Sequence, residues 1–180
     1  KNIAVFFGGV SVEHDVSIIT GVLTVNSLDK GKFNGIPVYV DRDGKWYTGQ
    51  RLKDIDQFKT TNKKGLTQVV LLAGSNWLFR VKGKKLKKLC AISVVINCMH
   101  GERGEDGSLA GLLNMCNIPI ASPSIMPSSV CMDKGFTKTV MKGLGIKTLP
   151  YLVVDSQTEL LAVEKKLGYP VVVKPVCLGS

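Results

Sequence analysis

The chain has 180 residues, 44% of them hydrophobic and 21% charged, with a formal net charge of +10, which suits one compact domain and part of another. No apolar run approaches the ~18 to 20 residues of a membrane span, and the first residues enter a strand directly rather than a signal peptide. Cys90, Cys98, Cys116, Cys131 and Cys177 are odd in number and lack CxxC spacing, so reduced thiols of a cytoplasmic protein are expected rather than a disulfide framework.

Residues 2–7 form a short apolar strand that ends at Gly8-Gly9. Ser11-Val12-Glu13-His14 then opens a helix to about Leu28, with Ser11 as N-cap and Glu13 in the first turn, where a negative charge complements the helix dipole. Val16, Ile18, Ile19, Val22, Leu23 and Val25 cover more than one stripe, which predicts a helix buried over much of its surface. Residues 36–40 and 45–48, around Asp41-Arg42-Asp43-Gly44, read as a hairpin, and residues 50–65 as a polar excursion of helix or loop. Residues 69–72 and 77–81 suggest a second hairpin around Gly74-Ser75-Asn76. Lys82, Lys84, Lys85, Lys87 and Lys88 flank Gly83 as a solvated turn. With few aromatic residues interleaved, that basic run is an electrostatic footprint only, and neither a nucleic-acid nor a membrane partner is expected.

Residues 92–98 are a β-branched run that reads as a buried strand, and Leu109, Leu112, Leu113 and Cys116 recur as the stripe of an amphipathic helix. Between them, residues 99–108 hold five ionisable side chains and three glycines. Such a loop is either a solvated turn capped by Asp106 or Ser108, or a ligand-binding loop outside the carboxyl ends of an open α/β sheet. The turn after the first strand is of the same kind. If the two strands lie side by side and parallel, Glu13, His100 and Glu105 gather at one sheet edge.

Pro119, Pro123 and Pro127 mark a connection, after which Asp133 caps a helix carrying Phe136, Val140 and Leu144 and closed by Gly143 or Gly145. Lys134 in its first turn opposes the helix dipole, offset either by Asp133 and solvent or by a bound anion. Residues 151–154 read as a strand, Ser156-Gln157-Thr158-Glu159 as a capping box, and Leu160, Val163 and Leu167 as a helical stripe ended by Gly168. Residues 169–175 read as another strand, bearing Lys174.

Phe7-Gly8-Gly9-Val10-Ser11-Val12-Glu13-His14-Asp15-Val16-Ser17 and His100-Gly101-Glu102-Arg103-Gly104-Glu105-Asp106-Gly107 resemble the first two signatures of D-alanine--D-alanine ligases. Met132-Asp133-Lys134 and Val173-Lys174-Pro175, followed by Gly179-Ser180, resemble the third and fourth, in the same order across the chain. Ala110, Ser122-Pro123-Ser124 and Pro127 depart from the family pattern. The resemblance implies an α/β fold. It divides the chain into an N-terminal open parallel-sheet, Rossmann-like pre-ATP-grasp domain at 1–122, a connecting helical segment at 123–149, and the start of an incomplete ATP-grasp domain at 150–180.

The implied reaction joins two D-alanines for peptidoglycan synthesis by way of an acyl phosphate made from ATP. Glu13 would bind the first D-alanine's ammonium, His100, oriented by Glu105, would hold the same substrate, and Ser180 would close the site by a hydrogen-bonded link to Glu13. Lys134 and Lys174 would reach ATP phosphate. The ligands of Mg2+ (or Mn2+) would lie beyond Ser180, and the enzyme would be a cytoplasmic homodimer. A D-alanine--D-lactate or D-alanine--D-serine ligase fits the same motifs, and the 180 residues alone would be a non-catalytic module. A dinucleotide-dependent oxidoreductase is disfavoured because Gly8-Gly9-Val10-Ser11 lacks G-x-G-x-x-G.

Overall fold

The computed structural model describes residues 1–60, 62–156, 158 and 160–178. Its centre is one mixed sheet built of β1 (Asn2–Gly8), β2 (Asn34–Val40), β3 (Trp46–Thr48), β4 (Thr67–Val70), β5 (Trp77–Lys82), β6 (Lys85–Ala91), β7 (Val94–Asn97) and β8 (Ile120–Ala121). The spatial order is β6-β5-β4-β3-β2-β1-β7-β8. The β2, β1, β7 and β8 pairings are parallel, and from β2 to β6 every pairing is antiparallel. Both predicted hairpins therefore form, and they extend a parallel half by an antiparallel one.

β1 is buried on both faces, as a central parallel strand must be. On one face, Ala4 and Phe6 pack with Val38, Val95, the predicted stripe residues Leu109 and Leu113 of α2 (Ser108–Met115), and Cys116 at the C-cap of that helix. On the other, Val5 and Phe7 pack with Ile18, Val22 and Val25 of α1 (His14–Ser27) and with Leu52. Gly21 allows α1 to settle here, because a Cβ at this position would stand 2.2 Å from the Phe7 ring.

Several expectations change. The helix starts at His14 rather than Ser11, and Glu13 occupies the N-cap position without a side-chain capping bond. Ser11 instead accepts the Glu13 N–H at its hydroxyl, 3.0 Å away. Val12, Val16, Ile19 and Leu23 are exposed, because a helix over one sheet face turns only one stripe inward. The excursion after β3 is two short 3-10 helices, Gln50–Lys53 and Ile55–Lys59, the second capped by Asp54. The lysine-rich run is not only a turn and flank: Lys85, Lys87 and Lys88 belong to the edge strand β6.

Pro127 lies inside α3 (Ile125–Met132), in the first turn, where its missing N–H costs no helical bond. Asp133 caps α4 (Lys134–Gly143) as expected, accepting the Phe136 N–H at 2.7 Å. α5 (Leu160–Leu167) also forms, and Gly168 follows it at φ 68°. Of the predicted capping box, Gln157 and Glu159 lie outside the described residues.

The strands expected at 151–154 and 169–175 are not formed. Val172 and Val173 are 83% and 82% exposed. A strand needs a neighbour's backbone to pair with, and the sheet ends at β8 on this side. All five cysteines are free. Among the described residues no helix is long and apolar enough to cross a membrane.

Candidate active site

β1 and β7 are adjacent and parallel, with Phe6 opposite Asn97, so both chains leave the sheet at the same edge. Beyond β1 come Gly8, Gly9 and the head of α1; beyond β7 come residues 98–107 and the head of α2. Ser17 joins them. Its hydroxyl donates to the Cys98 carbonyl at 2.7 Å and accepts the Gly8 N–H at 2.8 Å.

The second loop is held by its own polar groups. Glu105 accepts the Gly101 N–H at 2.7 Å, and the Asn97 side chain donates to the Gly104 carbonyl and accepts the Met99 N–H. Asp106 accepts the N–H groups of Arg103 and Ser108. Partial burial by itself would raise the Asp106 carboxyl, but these donors hold it below its ordinary value.

The two loops touch at Gly101. This residue has φ 66°, in the left-handed region that favours glycine. A Cβ there would lie 2.9 Å from the Ser11 hydroxyl and 3.1 Å from Glu13 Oε2. That Glu13 oxygen is enclosed and has no hydrogen-bond partner. An enclosed carboxylate oxygen without a donor is costly, so the site is arranged to receive one.

The structure thus brings Glu13 against the loop that carries His100 and Glu105, as the sequence suggested. Glu105 does not orient His100, however. Its Oε2 accepts the Gly101 N–H, while His100 Nε2 stands 3.5 Å from the Thr20 hydroxyl. Lys134 donates to the Leu178 carbonyl at 2.5 Å. Lys174 is exposed, and neither lysine pairs with the Glu13 cluster. Ser180 lies outside the described residues.

Ser17 and Asn97 are parts of the site that sequence reasoning missed, and so are His14 and Tyr39. His14 is 3% exposed. Its Nδ1 faces the Gly9 carbonyl at 2.5 Å and its Nε2 faces the Tyr39 hydroxyl at 3.1 Å. A carbonyl can only accept, so Nδ1 carries a proton, and in the neutral ring Tyr39 donates to Nε2. Burial, with Asp41 nearby, pushes the Tyr39 phenol up and keeps that donor protonated. The signal available in the sequence was a polar residue within an otherwise apolar run, Ser17 beside Ile18 and Asn97 after Ile96.

Residues 2–123 match a family described as D-ala D-ala ligase N-terminus. The chain belongs to this family. A D-alanine--D-alanine ligase of Thermosipho melanesiensis is 36% identical over 99% of this chain and 50% of its own length. Among solved structures, the D-Alanine-D-Alanine Ligase from Helicobacter pylori superposes with TM-score 0.81 at 29% identity, covering 99% of this chain and 56% of that one. The VanG D-Ala:D-Ser ligase from Enterococcus faecalis superposes with TM-score 0.77 at 28% identity, covering 100% and 53%. The chain spans about half the length of the curated relatives it matches.

Proposed function

We propose that the chain is the N-terminal half of an ATP-dependent ligase that joins two D-alanines into D-alanyl-D-alanine for peptidoglycan, working in the cytoplasm as a homodimer. Its N-terminal domain covers residues 1–122, a connecting helical segment covers 123–149, and an ATP-grasp domain begins at 150. The observation that carries this reading is the unpartnered Glu13 oxygen where the β1 and β7 loops meet.

A free carboxylate resists acylation because its charge repels nucleophiles and oxide leaves badly. Transfer of the γ-phosphoryl of ATP to the carboxylate of the first D-alanine gives an acyl phosphate and ADP. The amine of the second D-alanine then attacks the acyl carbon, and the C–O bond to phosphate breaks as the amine loses a proton. Glu13 seats the first D-alanine through its ammonium, a charge-assisted contact. Ser17 and Glu105 keep both loops in place, and His100 borders the same substrate. Lys134 and Lys174 turn to the ATP phosphates, Lys134 leaving the Leu178 carbonyl to do so, and Ser180 closes the site toward Glu13.

Among the described residues no three His, Cys, Asp or Glu side chains could hold a metal ion. The described residues do not by themselves fit a Mg2+ or Mn2+ site.

The test joins residues 1–180 to the C-terminal half of the Thermosipho melanesiensis enzyme, with that enzyme rebuilt from its own two halves as the control. Phosphate release from ATP is measured with D-alanine alone and with D-alanine plus D-lactate or D-serine. D-Alanine-dependent release with D-alanyl-D-alanine as product is expected. A folded chimaera that is inactive while the control turns over would overturn the reading, and release only with D-serine or D-lactate would reassign the acceptor. In the active chimaera, Lys174→Met raises the KM for ATP.

A further inference from the structure

From residue 57 to residue 101 the chain carries nine lysines and arginines and no aspartate or glutamate, so nearly all of the net charge of +10 arises in a quarter of its length. Six of these cations lie on the β5–β6 hairpin. In its register Arg80 is opposite Lys87 and Lys82 is opposite Lys85. Residues directly opposite share a face, and alternate residues of a strand return to it. Arg80, Lys82, Lys85 and Lys87 therefore stand on one face, spaced about 7 Å along the strands and about 5 Å across them.

None of these four pairs with an acid among the described residues. Like charges directly opposite weaken a strand pair. An isolated lysine suffices to guard an exposed sheet edge, so a block of four opposed cations exceeds that need and calls for an anionic partner.

We propose that this hairpin docks the protein on an anionic phospholipid surface. Five of its six cations are lysines, compact point charges without the bidentate fork that reads a fixed phosphate geometry. A cluster of this size is what recognises anionic headgroups. The cationic face carries no aromatic side chain on which a base could stack, since Trp77 and Phe79 alternate to the other face and Trp77 lies under Lys88. β6 is five strands from β1, about 24 Å at the usual strand spacing, so docking leaves the Glu13 site open.

The test is co-sedimentation of the 180-residue chain with phosphatidylcholine vesicles, plain or containing about a third phosphatidylglycerol, at salt of about 0.05 M and about 0.5 M. Binding is expected only to the anionic vesicles and only at the lower salt. The variant Lys82→Gln/Lys85→Gln/Lys87→Gln should bind them at least ~30-fold more weakly, with an unchanged circular dichroism spectrum. The control Lys142→Gln/Lys165→Gln/Lys166→Gln should bind like the parent. Absence of vesicle binding, equal binding by the two triple variants, or tighter binding to single-stranded or duplex oligonucleotides than to vesicles would overturn the proposal. Should the first triple variant aggregate, Lys82→Gln with Lys84→Gln, which leaves the edge strand untouched, must still weaken vesicle binding.

Discussion

Glu13 has two competing roles of different size. A carboxylate at a helix start contributes about 0.3 to 1 kcal/mol through the dipole, but Glu13 makes no side-chain capping bond, and one of its oxygens is enclosed without a donor. A charged partner lost from a closed site costs about 2 to 5 kcal/mol by analogy with buried charge pairs. Glu13→Gln keeps the shape and removes the charge. In the assembled enzyme it should lower kcat/KM for D-alanine by ~30-fold or more, the size of a 2 kcal/mol defect, with little change in Tm. If Tm drops while the kinetics are unaltered, Glu13 is a helix-terminus residue and the substrate lies elsewhere. His14 and Ser17 were harder to foresee than Glu13 because their roles depend on the Gly9 and Cys98 carbonyls, backbone groups that no side-chain pattern reveals.

At the scale of elements, periodicity was sufficient wherever burial follows from it. The α2 stripe, both hairpins and the parallel β1–β7 pair came out as read. β6 was obscured because its exposed positions are lysines, which carry no alternation to detect. α1 looked buried all round because Val16, Ile19 and Leu23 are apolar, yet only one layer covers that side of the sheet. The two tail strands failed for a different reason. Their sequences favour extension, but pairing is a property of two segments, and among the described residues no partner strand stands beyond β8. The tail should therefore open more easily than the sheet. Hydrogen exchange in residues 151–173 is expected to be faster than in β1 and β7, whose amides are paired on both sides. Equal protection in the two regions would mean that the tail already has its partners.

The proposed substrate site and the proposed docking hairpin lie on different halves of one sheet. The parallel half opens on the Glu13 site, the antiparallel half ends in the cationic hairpin, and the chain continues past β8 into a segment with exposed apolar residues. Phosphoryl transfer needs cations fixed where charge develops on the transferred group and on the departing phosphate. The described residues hold no cluster for a metal; Lys134 is engaged with a backbone carbonyl, and Lys174 stands exposed and unpartnered. On the proposed reading, seating a substrate ammonium and transferring a phosphoryl group are separable, and this chain carries residues for the first. With ATP, magnesium and D-alanine, phosphate release by the 180-residue chain should match the no-enzyme rate, even though circular dichroism shows it folded. D-Alanine-dependent turnover above that rate would place a complete phosphoryl-transfer site within these residues and overturn the proposed separation of the two tasks.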